Sequence, residues 1–116
     1  MHSKRRHKRV PISASVTITR GGEGAGETFH AMAANISLSG IGLYSDNPLE
    51  PETEVSLAVH FISKDGGIST DALKGNIVYV KEIGGMHFMG VEFSEELNKA
   101  GQPFLYEHLL SILTAD

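Results

Sequence analysis

The strongest constraint on the fold of this chain is a regular alternation of apolar and polar side chains near the N-terminus. The apolar positions are Val10, Ile12, Ala14, Val16 and Ile18, and the residues between them are mostly serine or threonine. Successive side chains of a β-strand point to opposite faces, so a period of two is typical of a strand with one buried face. The pattern predicts a strand over residues 10–19 and favours a fold in which β-sheet encloses the core.

Further strands follow, and glycine or proline marks the connections between them. Residues 21–26 contain four glycines, which predicts a hairpin connection, and Gly84 and Gly85 predict a tight turn. The further strands are predicted over residues 27–34, 41–44, 55–61, 72–81 and 86–93. Six short strands with tight connections predict an all-β fold, a closed six-stranded antiparallel barrel.

The C-terminal region has the pattern of helix instead. Ser94 suits a helix N-cap, with two glutamates directly after it in the first turn, and Gly101 suits a helix end. Pro103 suits the start of a second helix. Its apolar stripe would consist of Phe104, Leu105, His108, Leu109, Ile112 and Leu113. We expect helical structure from Ser94 onward and a C-terminal helix that packs on the barrel or on a partner.

Length and composition indicate one soluble domain. A chain of 116 residues that is 41% hydrophobic is long enough for one core and too short for two ordinary domains. The absence of cysteine excludes disulfides and thiolate chemistry, and it fits a reducing compartment. No apolar run approaches the roughly 18 residues that cross a membrane. We therefore expect no membrane insertion and a cytoplasmic location.

The net charge of −4 hides a strong asymmetry between the N-terminus and the rest of the chain. Half of the ten basic residues lie within the first nine positions, namely Lys4, Arg5, Arg6, Lys8 and Arg9. The rest of the chain has five basic and fourteen acidic residues, a net charge of −9. We therefore divide the chain into a basic arm, residues 1–9, and a barrel domain, residues 10–116. Local positive charge on an acidic domain favours a small anionic ligand.

Two short motifs carry side chains suited to binding a nucleotide. Arg5 and Arg9 are spaced as RxxxR, and residues 35–40, NISLSG, fit [D/N]xSxxG. A guanidinium donates paired hydrogen bonds to a phosphate or to the O6/N7 edge of guanine, and its flat face stacks on a purine. Alone, each motif also has a structural interpretation, as a solvated terminus or a capped turn. The specific signal is the presence of both, in this order, on a six-strand pattern.

With both motifs in place, the chain resembles the PilZ family, whose members carry RxxxR just before the first barrel strand and [D/N]xSxxG after the next strand. The resemblance continues through residues 75–79, GNIVY, and residues 90–93, GVEF, so it covers most of the chain. It implies a PilZ-like β-barrel that binds cyclic di-GMP, a bacterial second messenger. It also implies a signalling domain with no catalytic activity and no cofactor besides this ligand.

The resemblance further implies a role for particular residues. The site residues are Arg5, Arg6, Arg9, Asn35, Ser37 and Gly40. The arginines would contact phosphates and guanines, the amide and hydroxyl would hydrogen-bond to guanine and to the arginines, and the glycine would allow close approach of the backbone. Tyr79 is a further candidate, as a stacking platform. Binding would order the arm and signal to an unidentified effector protein that controls motility, exopolysaccharide synthesis or virulence.

Two other functions remain open from the sequence. One is a PilZ-like adaptor that acts through protein contacts without nucleotide, against which the intact motifs argue. The other is a small barrel that binds RNA or single-stranded DNA, against which the acidic body argues, so we expect no nucleic acid partner. The six histidines lack metal-binding spacing, and the chain has no nucleophile elbow, Walker loop or dinucleotide motif. We therefore expect neither a metal site nor an enzyme.

Overall fold

The computed structural model describes residues 7–21, 26–62 and 65–114. The strands in it are β1 (Val10–Arg20), β2 (Thr28–Ile36), β3 (Gly40–Ser45), β4 (Glu54–Ile62), β5 (Ile68–Ile83) and β6 (Met86–Phe93). They pair antiparallel and close into a barrel in the order β1-β2-β3-β6-β5-β4. A helix, α1 (Pro103–Leu113), follows the last strand. The prediction of a six-stranded antiparallel barrel with a C-terminal helix is confirmed.

Strand β1 buries its alternate side chains inside the ring, as its sequence pattern predicts. Val10, Val16 and Ile18 are at most 3% exposed, and each makes a favourable contribution of roughly 1.5–3 kcal/mol from burial. β1 pairs on both sides, so Val16 lies opposite Ala31 of β2 and Val59 of β4. Each strand has two hydrogen-bonded neighbours in the closed order, and the inward side chains of all six strands form one core.

The strand boundaries differ from prediction where partner strands extend the pairing. β5 begins at Ile68, four residues before the predicted start, because Ile68 pairs with Ile62 of β4. β2 continues to Ile36 because that residue pairs with both Val10 and Ile41. The predicted tight turn between β5 and β6 is confirmed. Gly84 and Gly85 there have φ angles of 58° and 86°, in the left-handed region that a two-residue hairpin turn requires.

The prediction of a helix beginning at Ser94 is wrong. Ser94 donates its backbone N–H to Lys74 O at 2.9 Å, and Leu97 donates its N–H to Leu38 O, also at 2.9 Å. These bonds draw the segment across the barrel and bury the Leu97 side chain, which is 4% exposed. Contacts with the barrel have overridden the local preference for helix, and the first helical residue after β6 is Pro103.

Helix α1 packs on the barrel through a narrower stripe than the sequence predicts. Leu105 and Leu109 are fully buried, and the His108 ring lies 5.6 Å from that of Phe61. Phe104 and Ile112, expected in the same stripe, are 45% and 37% exposed. The sequence left open whether this helix packs on the barrel or on a partner. In the structure its buried face packs on its own barrel.

Candidate functional site

The connection from β2 to β3 is a closed turn built around Ser37. This side chain is 1% exposed, and its hydroxyl accepts hydrogen bonds from the backbone N–H of Ser39 at 3.1 Å and of Gly40 at 3.2 Å. The Ser37 N–H donates to Gly40 O at 2.8 Å. A serine followed three residues later by glycine thus forms a compact loop in which the serine hydroxyl satisfies two backbone N–H groups.

Gly40 allows this turn to lie against β6. A Cβ atom at this position would lie 2.6 Å from the carbonyl oxygen of Val91 and 3.5 Å from Nη2 of Arg9. The first distance is a clash with backbone, which has little freedom to move. The absence of a side chain at Gly40 therefore lets three segments meet, namely the turn, β6 and the end of the basic arm.

Arg9 and Asn35 join the two sequence motifs directly. Nη1 of Arg9 donates to Oδ1 of Asn35 at 2.6 Å in a partly buried position. The strand register explains the contact, since Val10 pairs with Ile36 and Pro11 with Asn35. The arm therefore enters the barrel beside the β2–β3 turn. Two motifs 26 residues apart in sequence are brought within hydrogen-bond distance.

A surface pocket of about 390 Å³ opens at this meeting point. Its lining residues are His7, Arg9, Ser37, Ser39, Gly40, Val78, Tyr79, Val91 and Glu92. This volume lies in the range of small-molecule sites. Arg9, Ser37 and Gly40, three of the expected site residues, line the pocket, and Asn35 is bound to Arg9 at its border. The expected contacts of Arg5 and Arg6 fall outside the described residues.

Tyr79 borders the pocket with an aromatic ring held against the sheet. The register of β5 against β6 shifts between Ile77 and Tyr79, and Tyr79 pairs with Gly90. A Cβ at Gly90 would lie 2.6 Å from Cε2 of Tyr79, so the ring packs directly over this glycine. Tyr79 remains 46% exposed. Gly90 therefore lies directly under the ring, and part of the ring surface remains exposed beside Arg9 and the turn.

Sequence reasoning did not identify five residues that line the pocket: His7, Ser39, Val78, Val91 and Glu92. Glu92 reaches the site because it pairs with Gly40 across β3 and β6. Val78 lies at the register shift of β5. Such positions are set by pairing between strands distant in sequence, so no local pattern marks them. His7 lies within the RxxxR spacing, and this placement is the signal that could have identified it.

The histidines do not form a metal site in the part of the chain that the structure describes. Within those residues, no group of three histidine or acidic side chains is arranged to hold a metal ion. His60 instead contacts threonines on the two neighbouring strands. Its Nε2 lies 3.4 Å from Oγ1 of Thr17, and its Nδ1 lies 2.8 Å from Oγ1 of Thr70. Among the described residues, too, no helix has the length and apolar character needed to cross a membrane.

Several solved structures share this fold at low sequence identity. The Bacillus subtilis inhibitor of motility MotI/DgrA is 16% identical with a TM-score of 0.72, and the match covers 97% of this chain and 53% of that one. The MrkH–c-di-GMP complex of K. pneumonia is also 16% identical with a TM-score of 0.67, covering 98% and 54%. The chain thus spans about half the length of both proteins.

A third solved structure is closer to this chain in size. It is the PilZ domain with c-di-GMP of YcgR from Escherichia coli, with 15% identity and a TM-score of 0.60, and the match covers 97% of this chain and 91% of that one. No curated protein matches the chain in sequence. The model of one family, described as the PilZ domain, matches residues 3–111. Since this match includes both motifs and nearly the whole barrel, the chain belongs to the PilZ domain family.

Proposed function

We propose that this domain binds cyclic di-GMP in the pocket between the basic arm and the β2–β3 turn. The observation that carries the proposal is the bond from Arg9 to Asn35, which places the second arginine of RxxxR on the [D/N]xSxxG turn at the pocket. Two structures with the same fold, those of MrkH and YcgR, are complexes with c-di-GMP. The pocket combines the guanidinium of Arg9, which suits a phosphate or a guanine edge, with the partly exposed ring of Tyr79, which suits a guanine face.

Each candidate residue has a distinct role in this proposal. Arg9, with Arg5 and Arg6 from the arm, donates to phosphate oxygens and to O6 and N7 of guanine. Asn35 orients Arg9 and offers its amide N–H groups to the base. Ser37 and Gly40 shape the turn so that its backbone approaches the ligand. The ring of Tyr79 packs against a guanine.

The biological role that we propose is that of a receptor that passes the signal to another protein. Cyclic di-GMP would draw the rest of the arm onto the barrel, and the changed surface would be recognised by an effector protein controlling motility, exopolysaccharide synthesis or virulence. The Bacillus subtilis relative in fold is named an inhibitor of motility. A receptor for this messenger acts in the cytoplasm and needs no catalytic groups, so we propose neither an enzymatic activity nor a cofactor.

Calorimetric titration with cyclic di-GMP tests this function directly, with linear GMP, cyclic AMP and a short RNA as competitors. A pocket that reads two guanines and two phosphates in one compact ligand should bind cyclic di-GMP far more tightly than the other three. Equal affinity for the mononucleotides would rule out guanine recognition. If cyclic di-GMP gave neither a heat of binding nor saturation, the nucleotide-independent adaptor would be the better-supported function. A preference for RNA would favour the nucleic-acid-binding barrel.

A further inference from the structure

One side chain of the pocket, that of His7, lies between the two arginines of RxxxR. His7 has 23% of its side chain exposed, and Nε2 of its ring lies 3.5 Å from Oε2 of Glu96. Within residues 7–21, 26–62 and 65–114, Nδ1 of His7 is buried and has no hydrogen-bond partner. The ring also lines the pocket beside Arg9 and Gly40. One nitrogen therefore faces a carboxylate, while the other is buried without a partner in a ring that lines the proposed ligand site.

The two ring nitrogens of His7 have different requirements. A carboxylate only accepts hydrogen bonds, so Glu96 favours a proton on Nε2. With Nε2 protonated, Nδ1 accepts in the neutral ring and donates only in the imidazolium form. A buried nitrogen without a partner is costly, and a ligand group that supplies the partner removes this cost on binding. A phosphate oxygen, which is an anionic acceptor, matches the imidazolium form.

We propose that His7 is a further ligand-binding residue, which donates from Nδ1 to a phosphate oxygen of the bound dinucleotide and takes up a proton on binding. This inference rests on the proposed function, because it needs a phosphate in the pocket. Glu96 acts through His7 as a positioning residue that orients the ring. Affinity for the ligand is then coupled to pH, although the phosphates and guanidinium groups keep their charge throughout the neutral range.

The charged groups around His7 determine the direction of this coupling. In the free protein, His7 lies beside the positive charge of Arg9 at the pocket and the negative charge of Glu96. Glu92 of β6 adds a negative charge to the pocket, and Tyr79 is the titratable side chain that β5 contributes. Two ligand phosphates shift the balance toward the imidazolium. Binding should therefore tighten as the pH falls through the range in which histidine changes charge, about pH 5 to 8.

Calorimetric titration of the full chain with cyclic di-GMP at several pH values measures this coupling. We expect affinity to fall about three- to tenfold between about pH 6 and pH 8. Repeating the titration at one pH in two buffers of different ionisation enthalpy gives the number of protons taken up, which should be positive. Without the coupling, affinity would be level across this range and the observed heat would not depend on the buffer.

Three variants separate His7 from other titrating groups. His7→Asn replaces the imidazole ring with a neutral amide. Its affinity for cyclic di-GMP should not change with pH, and binding should take up no proton. His60→Asn is the matched control, because His60 contacts Thr17 and Thr70 on neighbouring strands and should leave the pH dependence unchanged. Glu96→Gln removes the carboxylate beside the ring and should move the dependence to lower pH.

The outcomes distinguish this inference from the proposed function. If the wild-type protein does not bind cyclic di-GMP at any pH, the function itself fails. If it binds, and His7→Asn keeps the wild-type pH dependence and proton uptake, the role of His7 is overturned while the function stands. The ring signals of His7 in NMR spectra of the wild-type protein provide a test that needs no variant. The ligand should raise the midpoint of their pH titration, and an unchanged midpoint would overturn the proposal.

Discussion

Arg9 is the residue at which the fold and the proposed site meet. It lies one position before β1, and its guanidinium bonds to Asn35 on the next strand. Space for this contact depends on a second glycine of β3. A Cβ at Gly42 would lie 3.1 Å from Oδ1 of Asn35 and 2.6 Å from Cζ of Phe88. A side chain at position 42 would therefore crowd the Asn35 amide, which would have to shift by a few tenths of an ångström.

Replacing Arg9 with alanine should weaken ligand binding far more than it destabilises the free protein. The lost charge-assisted contact corresponds to on the order of 1.5–3 kcal/mol, or about ten- to hundredfold in affinity. Loss of the bond to Asn35 should lower the free energy of unfolding by only about 1 kcal/mol. Calorimetric titration and thermal unfolding without ligand measure the two effects.

The matched control for this variant is Arg20→Ala, at the other end of β1. Arg20 forms an exposed ion pair with Glu27 at 3.3 Å, which contributes little to stability, and it does not line the pocket. Binding should be unchanged in the control. If Arg9→Ala bound cyclic di-GMP as tightly as Arg20→Ala, the bond to Asn35 would be structural only.

At the scale of elements, helix α1 is attached to the barrel through a buried carboxylate. Asp71 of β5 is 5% exposed, and its Oδ2 accepts the backbone N–H of Leu105 at 2.6 Å. Gln102, the residue at the N-cap position, makes no side-chain capping bond. The cap is thus supplied by a distant strand. Burial raises the pKa of Asp71 above its usual value of 3.8, although hydrogen bonds from the backbone of Leu105 and Phe104 oppose the shift.

The raised pKa of Asp71 predicts a particular dependence of stability on pH. A carboxyl whose pKa is higher in the folded state contributes stability below the unfolded value, and this contribution is lost as the pH rises through the folded value. The Asp71→Asn variant keeps an acceptor oxygen but cannot ionise. It should lose this component of the pH profile, and chemical unfolding from about pH 4 to pH 7 measures it.

Two further variants complete this test of the cap. Asp71→Ala leaves the Leu105 N–H without its acceptor and should cost about 1–3 kcal/mol at low pH, and less as the pH rises through the folded pKa of Asp71. Asp46→Asn, at an exposed position, is the control and should leave the profile as in the wild type. A profile for Asp71→Asn that matches the wild type would show that this carboxyl does not couple folding to pH.

For the whole molecule, the proposed signal is a change in the basic arm relative to the barrel. Residues 7–9 already contact the barrel through the His7–Glu96 and Arg9–Asn35 pairs, and residues 1–6 lie outside the described part of the chain. Like charges without apolar residues between them bury little to offset lost chain entropy, so we propose that an anionic ligand draws the rest of the arm onto the barrel.

Hydrogen exchange with and without cyclic di-GMP tests this change. The amides of residues 4–9 should be increasingly protected at saturating ligand, with the largest change at residues 4–6. Protection should extend to residues 35–40, while residues 55–61, within β4, serve as an internal control and change little. An arm that is already protected without ligand, or that still exchanges rapidly in the complex, would contradict the proposed signal even if binding were confirmed.

The sequence alone determined most of the barrel, because its information is local. The period of two in β1 and the paired glycines at the β5–β6 turn each specify a conformation through a few adjacent residues. The motifs likewise identified side chains that meet at the turn, since Arg9 and Asn35, one from each motif, form a hydrogen bond there. The roles of Arg5 and Arg6 stay predictions.

The tertiary structure alone decided what depends on pairing between distant segments. The register of β3 with β6 brings Glu92 to the pocket, and the bond from Leu97 to Leu38 turns an expected helix into an ordered loop. The carboxyl that caps α1 lies 34 residues before the helix position that it binds. None of these contacts leaves a periodic or local signature, because the energy that selects them is gained only when the barrel closes.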